Sequence, residues 1–442
     1  MKVIIIGGIA GGATTAAKLN RVNPQAQITM YEKEDYVSFG ACGLPYFIGN
    51  QFHQPEGMIN RTPEQFAKTG IQVKIRHEVI AIDSEAKTVR VRNLETNEVF
   101  VDHYDRLVLA TGAKPIIPPF PGIELDHIFT FTKLNDGTAI KDQLETAQNI
   151  TIVGGGFIGL ELAEQLHELG KKVRVIELAS HVMGKVFDPE ISEKLAAELQ
   201  TNGIDLHLEE AVTSFNGDGV VQEVVTNKAT YATDLVILAI GFQPNVELVA
   251  GLGFAQFENG AIIVDNQGKT SIPDIYAVGD CATVENRILQ EPMYLPLATT
   301  ANKLGRIVGE VVGGLDSHFP GMLASSGIRC LGIEAGATGL NEQIARAKGL
   351  QYKVKTITDK DHAGYVKGAV ELTIKLVYHA ETKVILGGQI VGPKNAVLRV
   401  DVLAAAIYKG MTTDELGLLD LVYSPPFSRT WDILNVAGNV SK

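Results

Sequence analysis

The chain has 442 residues, enough for two to four domains at roughly 100–200 residues each, and its 45% apolar content belongs to a folded protein rather than a disordered one. Lys and Arg number 39 against 51 Asp and Glu, and the resulting formal charge of −12 has the wrong sign for neutralising a nucleic-acid backbone. Any anionic ligand must therefore be held by local donors such as helix N-termini or a few placed cations.

The opening MKVIII runs into glycines without the apolar region and cleavage site of a signal peptide. No run of about 18 apolar residues follows, so the sequence reads as cytoplasmic and off the membrane. Residues 2–6 form a strand ending in GGIAGG, then a helix-like stretch, ATTAAKLNRV, and a second strand, ITMYEK. The same order recurs at 149–178, NITIVGGGFIGLELAEQLHELGKKVRVIEL. Each unit closes alike, with YDRLVLATGAKP at 104–115 echoed by ATDLVILAIGFQP at 232–244, and PIIPPFPG at 115–122 reads as a linker. DIYAVGDCA at 274–282 resembles a late strand returning to the first domain. From about 322, alternating segments such as QYKVKTIT and ELTIKLVY precede helical stretches at 397–409 and 412–421, an α+β pattern with an antiparallel sheet. The predicted architecture is α/β: a discontinuous Rossmann-like domain at 1–114 and 242–321, a second at 115–241, and an α+β domain at 322–442.

The second glycine turn, Gly154-Gly155-Gly156-Phe157-Ile158-Gly159, matches G-x-G-x-x-G in full, with Glu177 at the end of the next strand. In this pattern Gly154 makes the turn and Gly156 admits a pyrophosphate to the helix N-terminus. Gly159 lets helix and strand pack, and the acid accepts hydrogen bonds from a ribose 2′-OH. A carboxylate there repels a 2′-phosphate, which favours NADH over NADPH. The first turn, Gly7-Gly8-Ile9-Ala10-Gly11-Gly12, has Ile9 at the middle glycine but keeps its strand, its helix and an acid, Glu32. Two such units imply two dinucleotides exchanging hydride, with FAD and NADH the natural pair. The cysteines Cys42, Cys281 and Cys330 lack metal or disulfide-framework spacing, and the histidines show no HxxxH or HExxH, so no metal site is expected. Cys42 stands apart because Gly40, Gly43 and Pro45 shape a turn around it just past Glu32.

At these motifs the sequence resembles the flavoprotein disulfide reductase superfamily, in its single-cysteine branch. That branch holds coenzyme A disulfide reductases, NADH oxidases, NADH peroxidases and persulfide reductases. The likeness runs through GGIAGG, SFGACGLPYFIG, ATGAKP, GGGFIGLE, YAVGDCA and LVYSPPFS. It implies that FAD is held by the first glycine turn, Glu32, Thr111, Gly112, Gly279 and Asp280. NADH is then held by Gly154, Gly156, Phe157, Ile158, Gly159, Glu161 and Glu177, with Phe157 gating the nicotinamide pocket. Ala10 stands where oxidases and peroxidases of the branch carry a histidine. His362-Ala363-Gly364-Tyr365 and Tyr423-Ser424-Pro425-Pro426 are similar to the two tyrosine segments of coenzyme A disulfide reductases. Lys18, Arg21 and Ser38 match positions that hold coenzyme A, while Ala41 replaces a frequent Asn. The implied assembly is a homodimer in which the tyrosine-bearing C-terminal segment of one subunit serves the other's cysteine. The implied activity is NADH-dependent reduction of coenzyme A disulfide through a Cys42–S–S–CoA mixed disulfide, with Cys42, Tyr365 and Tyr423 catalytic. The alternatives are an NADH oxidase or peroxidase cycling a sulfenic acid, a persulfide or polysulfide reductase, and, outside enzymes, a flavin-bound NADH sensor.

Overall fold

The β-branched run Lys2–Ile6 becomes the middle strand of a five-stranded parallel sheet, ordered Ile275–Ala277, Arg106–Leu109, Lys2–Ile6, Gln27–Tyr31, Ile71–Lys74. Val3, Ile4 and Ile5 are fully buried, as expected for a parallel strand covered on both faces. The helix Ala10–Val22 covers one face and crosses the helix Ala298–Val312 at small residues, where the Thr15 hydroxyl donates to Gly11 O (2.8 Å) and Gly305 O (3.1 Å). A three-stranded antiparallel sheet, His77–Asp83, Thr88–Asn93 and Val99–His103, completes this unit. The computed structural model describes residues 1–442, and this first compact unit comprises 1–116, 132–134 and 241–322.

The second unit, 117–131, 135–240 and 323–442, repeats the plan. Its parallel sheet runs Asp205–His207, Lys172–Ile176, Asn149–Val153, Leu235–Leu238, Ile128–Thr130, and its three-stranded companion is Val212–Asp218, Val220–Thr226 and Thr230–Ala232. Four strands take the same order in both parallel sheets, so the duplication extends beyond the βαβ units; the fifth differs in origin, Ile275–Ala277 coming last in the chain in the first sheet and Ile128–Thr130 coming first in the second.

The C-terminal part of this unit carries a five-stranded antiparallel sheet, ordered Ser326–Cys330, Ile333–Gly339, Ile385–Gly392, Glu371–His379, Tyr352–Lys360, with the helix Val397–Tyr408 on it. The helical stretch expected at 412–421 shortens to Thr413–Gly417. It starts at a Thr412/Glu415 capping box and stops because Asn435 and Asn439 of the helix Ile433–Val440 bond the carbonyls of Leu416, Leu419 and Gly417. No helix in the structure is long and apolar enough to cross a membrane.

Candidate active site

The two glycine turns are built alike, bond for bond. Gly7 N–H donates to Tyr31 O and Gly154 N–H to Ile176 O, both at 2.8 Å, and both glycines take a left-handed φ, +100° and +113°. A Cβ on either would strike a carbonyl oxygen, that of Ala110 or Ala239, so only glycine fits. A Cβ on Gly12 or Gly159 would likewise strike Gly7 O or Gly154 O, which is the close helix-to-strand approach expected of the third glycine. At Gly156, by contrast, a Cβ would meet no protein atom within 4 Å. Its φ of −87° also permits a side chain, so nothing in the chain itself requires glycine there. The acids repeat as well: Glu32 accepts from Gly8 N (2.7 Å) and Glu34 N (3.0 Å), Glu177 from Gly155 N (2.6 Å) and Ala179 N (2.8 Å). Burial pushes the Glu32 carboxyl above its ordinary value, against the pull of those backbone donors.

The parallel register brings the remaining residues expected at the first turn to the same end of the sheet. Thr111 and Gly112 follow the strand Arg106–Leu109, and Gly279 and Asp280 follow its neighbour Ile275–Ala277. Asn245, which sequence reasoning missed, braces the first pair: it donates to Thr111 O (2.9 Å) from Nδ2 and to Gly112 O (2.9 Å) from its backbone, and it accepts from the Thr111 hydroxyl (2.6 Å). Asp280 has its carboxyl pushed up to about 6 by burial. The buried hydroxyls of Tyr294 and Thr300, in the same unit, make no hydrogen bond within the chain.

Cys42 lies in a 3₁₀ turn, Ala41–Gly43, that leads into the short helix Leu44–Ile48. The segment before it hangs from the first glycine turn, where Ser38 N–H donates to Gly8 O (2.8 Å) and Val37 fills the space beside Gly8. From the other side Gly40 N–H donates to Met58 O (2.8 Å), and Met58 leaves no room for a side chain at Gly43. Cys42 is exposed, whereas Cys281 and Cys330 are buried. Burial raises the Cys281 thiol, and burial with Glu164 nearby pushes Cys330 up to about 12. Neither is set up to act as a thiolate near neutral pH.

Thr14, Lys18 and Arg21 share one face of the helix Ala10–Val22, four and three residues apart. Lys18 is paired with Glu310 (2.8 Å) and Thr14 bonds Asn302 (2.6 Å), while Arg21 is exposed and makes no ion pair. In the second unit, Phe157 and Ile158 open the helix Phe157–Glu168, and Glu161 lies in its second turn. Burial, with Glu164 one turn on, pushes the Glu161 carboxyl up to about 7. Tyr365 and Tyr423, distant in sequence, lie close enough for their phenols to interact, which raises Tyr365 and lowers Tyr423. Arg399 assembles them by donating to Asp361 O (2.8 Å) and Asp432 Oδ2 (2.7 Å), and Ala363 N–H reaches Pro425 O (3.3 Å). No local pattern marks Arg399, whose partners come from two other segments.

Residues 1–305 match the pyridine nucleotide-disulphide oxidoreductase family and residues 328–433 its dimerisation domain. The chain belongs to this family. Members with similar chains include the NAD(P)H coenzyme A polysulfide/persulfide reductase of Pyrococcus horikoshii, 35% identical over 444 residues and covering 100% of this chain and 98% of the relative. The coenzyme A disulfide reductase of Staphylococcus aureus is 32% identical over 445 residues, covering 100% of both chains. Among solved structures, the water-forming NADH oxidase of Lactobacillus brevis bound to NADH superimposes with a TM-score of 0.96 at 32% identity, covering 100% of this chain and 98% of that one. As a member of the family the protein is an FAD-dependent NAD(P)H oxidoreductase. The first unit fits a flavin dinucleotide in its glycine turn, its buried acids and the partnerless hydroxyls of Tyr294 and Thr300. The second fits a pyridine dinucleotide in the open space at Gly156 before a helix N-terminus.

Proposed function

We propose that the protein reduces coenzyme A disulfide with NADH: NADH + H⁺ + CoA–S–S–CoA → NAD⁺ + 2 CoA–SH. FAD would be held by 1–114 and 242–321, through Gly7–Gly12, Glu32, Thr111, Gly112, Gly279 and Asp280. NADH would be held by 115–241, through Gly154–Gly159, Glu161 and Glu177. The observation that carries the reading is the exposed Cys42 on a turn bonded to the first glycine turn, with both other thiols buried.

Bound FAD supplies the relay of two electrons from NADH to sulfur. The Cys42 thiolate attacks one sulfur of the disulfide, forming Cys42–S–S–CoA and releasing one CoA thiolate. Two-electron reduction of that bond frees the second CoA thiolate and restores Cys42. One cysteine suffices because the second sulfur belongs to the substrate. The departing thiolates need protons, and the phenol pair Tyr365 and Tyr423 is assigned to supply and relay them. The neighbouring hydroxyls of Tyr365 and Thr430 lower Tyr423, which makes it the more acidic donor of the two. Arg21 and Ser38 are assigned to the anionic nucleotide end of coenzyme A. Lys18 contributes less, because Glu310 already neutralises it.

The dimerisation domain and the exposed side chains of Leu418, Val422, Phe427 and Trp431 support a homodimer through 322–442. A single exposed thiol that must stay reduced supports a cytoplasmic setting. The test is turnover of the holoenzyme with coenzyme A disulfide. Cys42→Ser should abolish it while FAD content is kept, and Tyr365→Phe with Tyr423→Phe should slow it by about 10²-fold or more. Undiminished turnover in the double variant would remove the tyrosines from the mechanism.

A further inference from the structure

The duplication extends one segment beyond each glycine turn, and there the two copies diverge. In the first copy Val37 and Ser38 meet Gly8; in the second Val182 and Met183 meet Gly155, where Met183 N–H donates to Gly155 O (2.8 Å) and Val182 Cγ1 lies 3.1 Å from a Cβ placed on Gly155. Ser38 and Met183 even share a left-handed φ of +55°. In the first copy the segment continues to Cys42. In the second it becomes a strap, 182–188, whose end is bonded to the C-terminal domain.

That end is clamped by side chains. Asp188 and Gln389, both essentially without solvent exposure, bond reciprocally: Asp188 N–H to Gln389 Oε1 and Gln389 Nε2 to Asp188 Oδ2, each at 2.8 Å. Glu342 N–H (3.1 Å) and Lys375 Nζ (3.3 Å) also reach Asp188 Oδ2. Asn341 Nδ2 donates to Lys185 O (3.3 Å) and Val186 O (3.5 Å), and Gln343 Nε2 to Gly184 O (3.2 Å).

The strap bears on the nucleotide through one peptide plane. In a planar trans peptide the C=O and the following N–H point in opposite directions. Fixing Gly155 C=O onto Met183 therefore aims Gly156 N–H away from the strap, and no acceptor in the chain takes it. Glu177 fixes the other side of Gly155 through its N–H. We propose that Asn341 and Gln389 of the C-terminal domain are positioning residues for pyridine-nucleotide binding: they hold the strap 182–188, which orients the Gly155–Gly156 peptide toward the pyrophosphate. This rests on reading Gly154–Gly159 as the pyridine-nucleotide turn.

The test is NAD⁺ affinity of the FAD-loaded enzyme by titration calorimetry, beside thermal midpoint and the separate effects on kcat and KM for NADH. Asn341→Asp keeps the helix cap, in which Oδ1 accepts from Ile344 N (2.8 Å), but loses the donor to the strap. Gln389→Leu cuts the other clamp. Each should weaken NAD⁺ about three- to thirtyfold and raise KM similarly, with kcat changed less than about twofold and FAD content unchanged. Gly156→Val serves as the control for the underlying reading and should abolish NAD⁺ binding. If Gly156→Val loses NAD⁺ but Asn341→Asp and Gln389→Leu bind it as the parent does, the positioning role is wrong. Should Gly156→Val bind normally, the reading of the turn fails and the strap inference fails with it. Should Gln389→Leu not fold, Asn341→Asp alone decides.

Discussion

Gly156 separates what folding demands from what binding demands. Its neighbours in the motif are required by the protein, since a Cβ on Gly154 or Gly159 would strike a backbone carbonyl. Gly159→Val should therefore lower the thermal midpoint by several degrees, the cost of overpacking being about 1–3 kcal/mol. Gly156→Val should leave the midpoint nearly unchanged and remove NAD⁺ affinity, because its added methyls meet only the space a pyrophosphate would take. Glu161 makes a second residue-level case. Its folded value of about 7 lies above the ordinary 4.5, so the folded chain holds this proton more tightly than the unfolded one. Stability is then lost as pH rises from about 4.5 to 7, and the full cost, roughly 3 kcal/mol at most, is present above 7. Glu161→Gln should raise the thermal midpoint at pH 8 and leave it unchanged near pH 4.5. A gain of equal size at both would contradict the assignment. If Glu161 also faces the nicotinamide, its ionisation weakens binding of anionic NADH, so KM should climb through pH 7 in the parent and stay flat in Glu161→Gln.

At the level of elements, Lys375 shows what the C-terminal domain does for its neighbour. It is 1% exposed, on the strand Glu371–His379, and its ammonium meets Glu342 (2.7 Å), Glu190 (2.9 Å) and Asp188 (3.3 Å). Removing it leaves those carboxylates without their shared cation, so Lys375→Met should cost about 3–5 kcal/mol, read as a lowered urea midpoint. The lysine was visible in the sequence as a single charge inside the apolar run of ELTIKLVY, yet nothing local names its partners, which come from the strap, from the helix Pro189–Thr201 that follows it and from the helix Glu342–Ala347. The glycine turns were legible for the opposite reason. Their constraint is carried by consecutive residues: a strand, a left-handed turn, a helix and an acid. Tyr365 and Tyr423 were recognised one by one from short motifs, whereas Arg399 and Asp432, which bring them together, act across long separations and leave no short-range pattern. The end of the helix at Gly417 was missed because distant Asn435 and Asn439 supply its C-terminal partners.

The whole molecule combines two nucleotide-type sheets, one exposed thiol and a C-terminal domain with exposed apolar side chains. If that apolar surface is the subunit interface, Val422→Glu with Trp431→Glu should halve the mass seen by light scattering while FAD stays bound. A protein that remains dimeric would place the interface elsewhere. Membership of the family alone leaves the electron acceptor open among disulfide, persulfide and oxygen. The most direct measurement is NADH consumption by the FAD-loaded protein with coenzyme A disulfide under anaerobic conditions, then with oxygen alone, each beside Cys42→Ser. Fast anaerobic turnover that requires both the disulfide and Cys42, with little consumption on oxygen, is the expected result. Turnover mainly on oxygen, with the disulfide a poor acceptor, would contradict it and make the protein an oxidase despite Ala10.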